Sequence, residues 1–364
     1  MKKIKIGIIG TNGLPGRYGG WDHLLNELTS RLSEKYEITV YTSFKNGHDH
    51  IDVYNNSKLR RINLDANGWQ SIPYDIYSMF LSLVNRHDIF LVFGTSGCIA
   101  LPILKLFGVK IILNPDGAEW ERGKWNYIVK KILYLFDKVG VSFAKFVVAD
   151  NKVIYDRVIK RNKNSFLIEY GGDNARYSLP DPDVFDKYNI TPKDYAFKVC
   201  RIVPENNIQL ILDVFVDNKL PLVLVGNWNV SDYSRSMKSK YEVHENLKLI
   251  GPIYEQEKID SLRSNCRVYI HGHSVGGTNP SLVEAMSLSL PCIVFDVNYN
   301  IETTGGAALY FNDKKSLFDT VNNVWFDLEK LTTIGESLKN IASSKYTWER
   351  IVNKYDELFY KITT

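Results

Sequence analysis

The sequence predicts an α/β protein made of two doubly wound parallel-sheet domains. Three observations lead there. The chain has 364 residues, long for one domain and natural for two. Short β-rich runs alternate with helical periodicity, which is the pattern of right-handed βαβ units around a parallel sheet. The alternation stops once near the middle and then begins again.

In the first half, strands are expected at "KIGIIG", "EITVYTS", "IFLVFG", "KIILNP", "KFVVAD" and "SFLIEYG". Helical spacing appears in "WDHLLNELTSRLSEK", "IYSMFLSLVNR" and "WNYIVKKILYLFDKVG". The stretch "NARYSLPDPDVFDKYNITPKD" is polar and proline-bearing, so it reads as a linker. Strands resume at "AFKVCRI", "LPLVLVGN", "LKLIGPI", "RVYIHG" and "PCIVFD", with helices at "NNIQLILDVFVD", "QEKIDSLRSN" and "PSLVEAMSLS". The last segment, "YTWERIVNKYDELFYKI", is an amphipathic helix able to cap either domain. The expected division is 1–178, 179–345 and a C-terminal helix over 346–364 that packs back on the first domain. Two such domains enclose a cleft at the carboxyl ends of their strands, where α/β sheets bind ligands.

Composition narrows the classes. Hydrophobic residues make up 45% and charged residues 24%, a globular balance. The formal net charge of +4 is too small to argue for nucleic acid, and no such partner is expected. No uninterrupted apolar run reaches the ~18 residues that a membrane-spanning helix needs. "MKKIKIGIIG" reads as a first strand rather than a signal peptide. The four cysteines, Cys98, Cys200, Cys266 and Cys292, lack metal or redox spacing and read as thiols in a reducing cytoplasm. His271 and His273 flank Gly272, but no third metal ligand is evident. They are read as structural or as donor-side hydrogen-bonding groups, and no metal or cofactor is expected.

The most informative stretch is "HGHSVGGTNPSLVEAM", residues 271–286. It joins an apolar strand to an apolar helix through a small, polar corner. Asn279 suits the N-cap and Pro280 the first helical position. Capping alone leaves Gly276, Gly277 and Glu284 unexplained. Glycines let a phosphate approach the backbone at a helix N-terminus, where unpaired N–H groups favour negative charge. Glu284 falls on the helix face nearest the corner, where a carboxylate can accept hydrogen bonds from a sugar diol. The constellation suits a nucleoside diphosphate, with the diphosphate on the corner and the ribose on Glu284.

"GGTNPSLVEAM" resembles the donor-binding loop of glycosyltransferase family 4, retaining nucleotide-sugar transferases with the GT-B fold of two Rossmann-like domains. "GLPGRYGGWDHLLNEL", "NPDGAEWERGKW", "RIVPENN" and "HGHSVGGTNPSL" resemble a narrower subgroup, the rhamnosyltransferases of streptococcal cell-wall and capsular polysaccharides. The resemblance implies that Glu284 is the second of a pair of glutamates. The first would fall at Gly276, so this chain departs from the pair. It implies that Arg201 meets the donor diphosphate, as a guanidinium fork suits phosphate oxygens. Asn206 and Asn207 stand where the family usually has a lysine. Tyr254 lies in the segment that holds the base. Ser274, Gly276, Gly277, Thr278 and Asn279 line the donor corner. In the N-terminal loop, Gly19 and Gly20 approach the diphosphate and Arg17 adds charge. Asp116 matches the position of a histidine beside the reacting sugar, and Glu119 is the next acid in its cluster with Glu121, Arg122 and Lys124.

The implied activity is transfer of L-rhamnose from dTDP-L-rhamnose, in β-1,4 linkage, onto a lipid-diphosphate-linked saccharide, with a UDP-sugar as the alternative donor. The implied setting is cytoplasmic, peripheral on the inner face of the plasma membrane. "KWNYIVKKILYLFDKVGVSFAK" fits that setting, because it mixes aromatic and aliphatic residues with lysines and can lie on an anionic surface. A nicotinamide dehydrogenase is excluded, since Gly10, Gly13 and Gly16 miss the G-x-G-x-x-G spacing. Two rivals stand: a nucleotide-sugar epimerase of the same fold, and a non-catalytic nucleotide-sugar-binding subunit.

Overall fold

The computed structural model describes residues 3–16, 19–47, 51–122 and 125–363. It divides into two compact units, Met1–Tyr170 with Trp348–Thr364, and Gly171–Thr347.

The first unit runs β1 (Lys5–Ile9), α1 (Gly20–Leu32), β2 (Glu37–Ser43), β3 (Val53–Tyr54), β4 (Ser57–Ile62), α2 (Ser71–Val84), β5 (Ile89–Phe93), α3 (Leu101–Leu106), β6 (Lys110–Asn114), α4 (Tyr127–Phe143), β7 (Phe146–Ala149), α5 (Lys152–Val158) and β8 (Ser165–Leu167). Its sheet has the order β3-β4-β2-β1-β5-β6-β7-β8. All pairings are parallel except the short β3–β4 hairpin at one edge. In β4 the sequence "SKLRRI" buries Leu59 and Ile62 and sends Lys58, Arg60 and Arg61 to solvent. Strand β1 lies between β2 and β5, with Ile6 opposite both Ile38 and Ile89. The chain therefore leaves β1 toward β2 and later resumes on the other side at β5, which makes a switch point at the carboxyl end of β1. Right-handed crossovers put α2, α3 and α4, which all advance from β4 toward β7, on the face opposite α1.

The second unit runs α6 (Pro182–Tyr188), β9 (Ala196–Val199), α7 (Ile208–Asn218), β10 (Leu222–Val225), α8 (Asp232–Tyr241), β11 (Leu247–Ile250), α9 (Gln256–Ser264), β12 (Val268–His271), α10 (Pro280–Ser287), β13 (Cys292–Phe295), α11 (Asn298–Thr304), β14 (Leu309–Phe311), α12 (Lys314–Val324) and α13 (Leu328–Lys345). Its sheet is wholly parallel, in the order β11-β10-β9-β12-β13-β14. The switch point lies between β9 and β12.

The expected linker needs correction. It contains α6, capped by Asp181, whose side chain accepts from Asp183 N at 2.9 Å, with Pro182 at the first position. Val184 and Phe185 are buried in the core of the second unit. Residues 171–178, assigned from the sequence to the first domain, also belong to the second unit. Gly172 N donates to Tyr346 O at 2.8 Å, Arg176 N to Asp260 Oδ2 at 3.1 Å and Ser178 N to Ser264 Oγ at 3.2 Å. The four cysteines are free thiols, three of them buried.

The last helix, α14 (Trp348–Thr363), is part of the first unit. Its apolar stripe, Trp348, Ile351, Val352, Tyr355, Leu358, Phe359 and Ile362, joins Leu24, Leu25 and Leu28 of α1 in one buried cluster. Asp356 fixes its register by accepting from Lys35 Nζ and Tyr36 Oη, each at 2.6 Å. Ile351 is 0% exposed, so Ile351→Ala should cost about 2–5 kcal/mol of stability through lost burial and a residual cavity. Urea denaturation reads this as a lowered midpoint. An unchanged midpoint would show that α14 does not support the first unit.

Candidate functional site

In the second unit the loops after β9 and β12 meet at the switch point. Gly272 brings them together: a Cβ there would lie 2.4 Å from Asn206 O. Asn206 is buried and donates through Nδ2 to Arg201 O at 2.8 Å. That fixes its Oδ1 toward His273 Nδ1, 3.0 Å away, so Nδ1 carries the proton. Asn207, in the left-handed region at φ 50°, donates to Gly272 O at 2.8 Å. Ser274 donates to Glu205 O through N at 2.9 Å and Oγ at 3.0 Å. "PENN" is thus a clasp that binds one loop to the other. Asn300 of α11, which no motif singles out, closes the clasp by donating to His273 O and Phe295 O, each at 2.8 Å.

Arg201 is exposed, and its guanidinium makes no hydrogen bond or ion pair among the described residues. Asn279 caps α10, accepting from Ser281 N at 3.1 Å and Ser281 Oγ at 2.8 Å, and Pro280 takes the first helical position. The amides of Gly276 and Gly277 make no hydrogen bond among the described residues. Thr278 is buried beside them. Gly276 has φ 128°, a conformation L side chains rarely adopt, and its missing Cβ would lie 3.2 Å from His273 Nε2. Any side chain at this position would strain the backbone and press on the His273 ring. An exposed cation and two open amides at a helix N-terminus together make an anion receptor. Beneath the corner, burial lowers the Lys198 ammonium. His271 is pushed well below its ordinary value by burial and by the charges of Lys198 and His273, so it is neutral.

Glu284 sits on the second turn of α10 and is buried. Its Oε2 accepts from Arg263 Nη2 at 2.6 Å and its Oε1 from Asn174 Nδ2 at 2.9 Å. Arg263 also donates to Asp260 Oδ1 at 2.6 Å. Burial opposes the charge of Arg263, yet the carboxylates of Glu284 and Asp260 outweigh it and raise the guanidinium. Sequence reasoning missed both partners. Arg263 is hidden in the helical run "QEKIDSLRSN", and Asn174 in the stretch read as linker. Tyr254 is exposed in the loop after β11, two strands from β9.

In the first unit, the loop after β1 packs tightly at its own switch point, where a Cβ on Gly10 would lie 2.0 Å from Phe93 O. Gly19, at φ 116°, is the N-cap of α1 and Gly20 its first residue, with open space beside Gly19. Arg17 lies outside the described residues, as does Lys124. Asp116 follows β6 in the left-handed region at φ 63°, with its N donating to Asn114 Oδ1 at 3.1 Å. It shares that end of the sheet with buried Asp150 and Tyr170. Burial, with the charges of Asp150 and Asp116, drives the Tyr170 phenol well above its ordinary range. Neither Asp150 nor Tyr170 stood out in the sequence. Glu119 clips its turn to the start of α4, pairing with Arg122 Nε at 2.5 Å and accepting from Trp125 Nε1 at 3.0 Å.

Comparison with known families gives two adjoining matches. The profile described as "Glycosyl transferases group 1" covers residues 181–323, and a "Domain of unknown function (DUF1972)" covers residues 2–173. The search of curated proteins finds no match. Among solved structures, the chain is similar to sucrose-phosphate synthase (tll1590) from Thermosynechococcus elongatus, at 13% identity over 99% of each chain and a TM-score of 0.81. It is similar to Anabaena Alr3699/HepE in complex with UDP-glucose, at 14% identity over 98% of this chain and 100% of that one, TM-score 0.75. It is also similar to a glycosyltransferase from Rickettsia africae ESF-5, at 12% identity over 100% of both, TM-score 0.70. The likeness at these identities is one of fold, and the fold is GT-B. The second unit carries the match to the glycosyl transferases group 1 model on that fold.

The Arg263–Glu284 pair yields a direct test. Arg263→Met leaves two buried carboxylates without their cation and should destabilise the second unit by about 3–5 kcal/mol. Combining it with Glu284→Gln should recover part of that loss in a double-mutant cycle read by urea denaturation. Strict additivity of the two changes would show that the pair is not energetically linked.

Proposed function

We propose that this protein is a retaining glycosyltransferase using a nucleoside-diphosphate sugar. L-rhamnose from dTDP-L-rhamnose is the first candidate, passed in β-1,4 linkage to a lipid-diphosphate-linked saccharide in cell-wall or capsular polysaccharide synthesis. It works in the cytoplasm, peripheral on the inner face of the plasma membrane, and without a metal ion. The observation that carries the reading is the second unit's corner, where Arg201 and the amides of Gly276 and Gly277 stand open at the start of α10. These groups offset the charge of a diphosphate. Arg263 and Asn174 each occupy one oxygen of Glu284 and hold its carboxylate in place, and its remaining lone pairs suit ribose hydroxyls. The likeness to HepE in complex with UDP-glucose supports a nucleotide-sugar donor.

In the reaction, the donor's anomeric bond to the diphosphate breaks and the acceptor oxygen bonds to the same carbon on the same face. The leaving diphosphate takes the acceptor's proton. The protein positions the groups and stabilises charge. Asp116 is assigned the positive charge that develops on the sugar, and Glu119 is the next candidate for that role.

The test is a panel of dTDP-, UDP- and GDP-sugars, with and without a lipid-linked saccharide, read as free nucleoside diphosphate. Acceptor-dependent release is expected. Conversion of donor without acceptor would mean an epimerase, and binding without turnover a non-catalytic subunit. Asp116→Asn should lower turnover roughly a hundredfold while donor affinity holds, as loss of one preorganised electrostatic group does. Glu284→Gln should weaken donor binding by about 1.5–3 kcal/mol by calorimetry. Glutamine is preferred to alanine because it leaves Arg263 an oxygen partner. Wild-type turnover in Asp116→Asn would reduce Asp116 to a turn residue.

A further inference from the structure

Helices α2, α3 and α4 lie side by side on one face of the first unit's sheet. Gly97, just before α3, abuts Asp75 and Met79 of α2, and α3 packs along α4. Their inner faces cover the sheet, as buried Met79, Leu104 and Phe136 attest. Their outer faces are apolar and bare. Phe80, Ile103, Leu106, Phe107, Tyr127 and Ile128 are all exposed, Leu106 by 86% and Tyr127 by 71%. Large apolar side chains exposed in this number on neighbouring helices mark an interaction site.

The charges on the three helices decide the partner. Their only carboxylates are Asp75 and Asp137, and both are buried. Asp137 is held by Arg157 Nη1 at 3.3 Å and Arg161 Nη1 at 3.2 Å. The remaining charged side chains are Lys105, Lys130, Lys131 and Lys138. Two of these set their ammonium groups over aromatic residues of the face: Lys131 Nζ is 4.4 Å from the Tyr127 ring centre, and Lys105 Nζ is 5.6 Å from that of Phe143. Helices whose exposed side chains are apolar or cationic, with no exposed acid of their own, complement a surface that is apolar within and anionic outside. A second copy fits poorly, because a two-fold contact would set lysines against lysines. No helix among the described residues is long and apolar enough to cross a bilayer, so the contact is one of lying on it.

We propose that the α2–α3–α4 face docks on an anionic lipid bilayer, with Leu106 and Phe107 at the end of α3 entering the headgroup layer and the lysines meeting lipid phosphates. This adds α3 and α2 to the basic segment visible in the sequence. It rests on the lipid-linked acceptor reading for its purpose, but its test needs no sugar transfer, so the two can fail separately. The start of α4 lies at the carboxyl edge of the sheet, the edge that also holds Asp116 and Glu119. A docked face would keep a membrane-tethered saccharide close to those residues.

Flotation of the full chain with vesicles of phosphatidylcholine alone, or of phosphatidylcholine with phosphatidylglycerol, tests the proposal. Binding is expected to the anionic vesicles and to weaken with salt. Leu106→Glu with Phe107→Glu, and Lys130→Glu with Lys131→Glu, should each lower partitioning roughly tenfold or more. Phe326→Glu, an equally bare apolar site in the second unit, should not. Unchanged urea midpoints and UDP binding establish that the variants are folded. Equal binding to neutral vesicles, or full binding by the Leu106/Phe107 variant, overturns the proposal. So does a wild-type dimer in sedimentation that this variant dissociates, which would assign the face to a second copy.

Discussion

The second unit depends on one constraint: β9 is hydrogen-bonded on both edges, to β10 and to β12. A central parallel strand forces the chain to leave it in one direction and return in the other. The loops after β9 and β12 are thereby brought together with no helix between them. Irregular backbone in such a place must find its own hydrogen bonds. Asn206, Asn207, Ser274 and Asn300 supply them. Because Asn206 holds the Arg201 carbonyl, the arginine's backbone is fixed while its side chain remains exposed. The amides of Gly276 and Gly277 are not taken by the clasp.

The ion pair beneath α10 follows a different logic. Burying Arg263 with Glu284 and Asp260 takes three charges out of water, and a well-packed apolar trio would cost no more. What the arrangement supplies is position. A glutamate on an open helix face would sample several rotamers, whereas here each carboxylate oxygen has its own donor. Asn174 and Arg176 belong to the segment that leads into α6, so the approach to the second unit is secured by the same network. This accounts for a polar, proline-bearing stretch that resembled a linker and is instead a buttress.

Much of the architecture was legible because alternation and periodicity are local. "EITVYTS" and "PCIVFD" announce strands by composition, and α10 announces its start through Asn279 and Pro280. The missed elements have weak local signals. Strand β4 carries three charged residues and gains its place only by pairing with β2. Helices α5 and α8 are short or polar, and α6 was masked by the prolines at its own first turn. At the site, single residues could be nominated from motif chemistry, but their partners could not. Arg263 lies 21 positions from Glu284, and Asn174 lies 110 away. Such pairings are set by tertiary packing, which one sequence does not display.

Gly276 shows why a motif departure must be read through the backbone. Counted along the chain, it stands where the resemblance implies a glutamate. In the folded loop, φ is 128° and the absent Cβ points at His273, whose ring is itself fixed by Asn206. A glutamate there would strain the backbone and displace the histidine, and through it the clasp that orients Arg201. The glycine, His273 and the asparagines of "PENN" therefore form one alternative construction of the corner. The hydrogen bonds between the two loops tie the glycine's corner to the asparagines of "PENN".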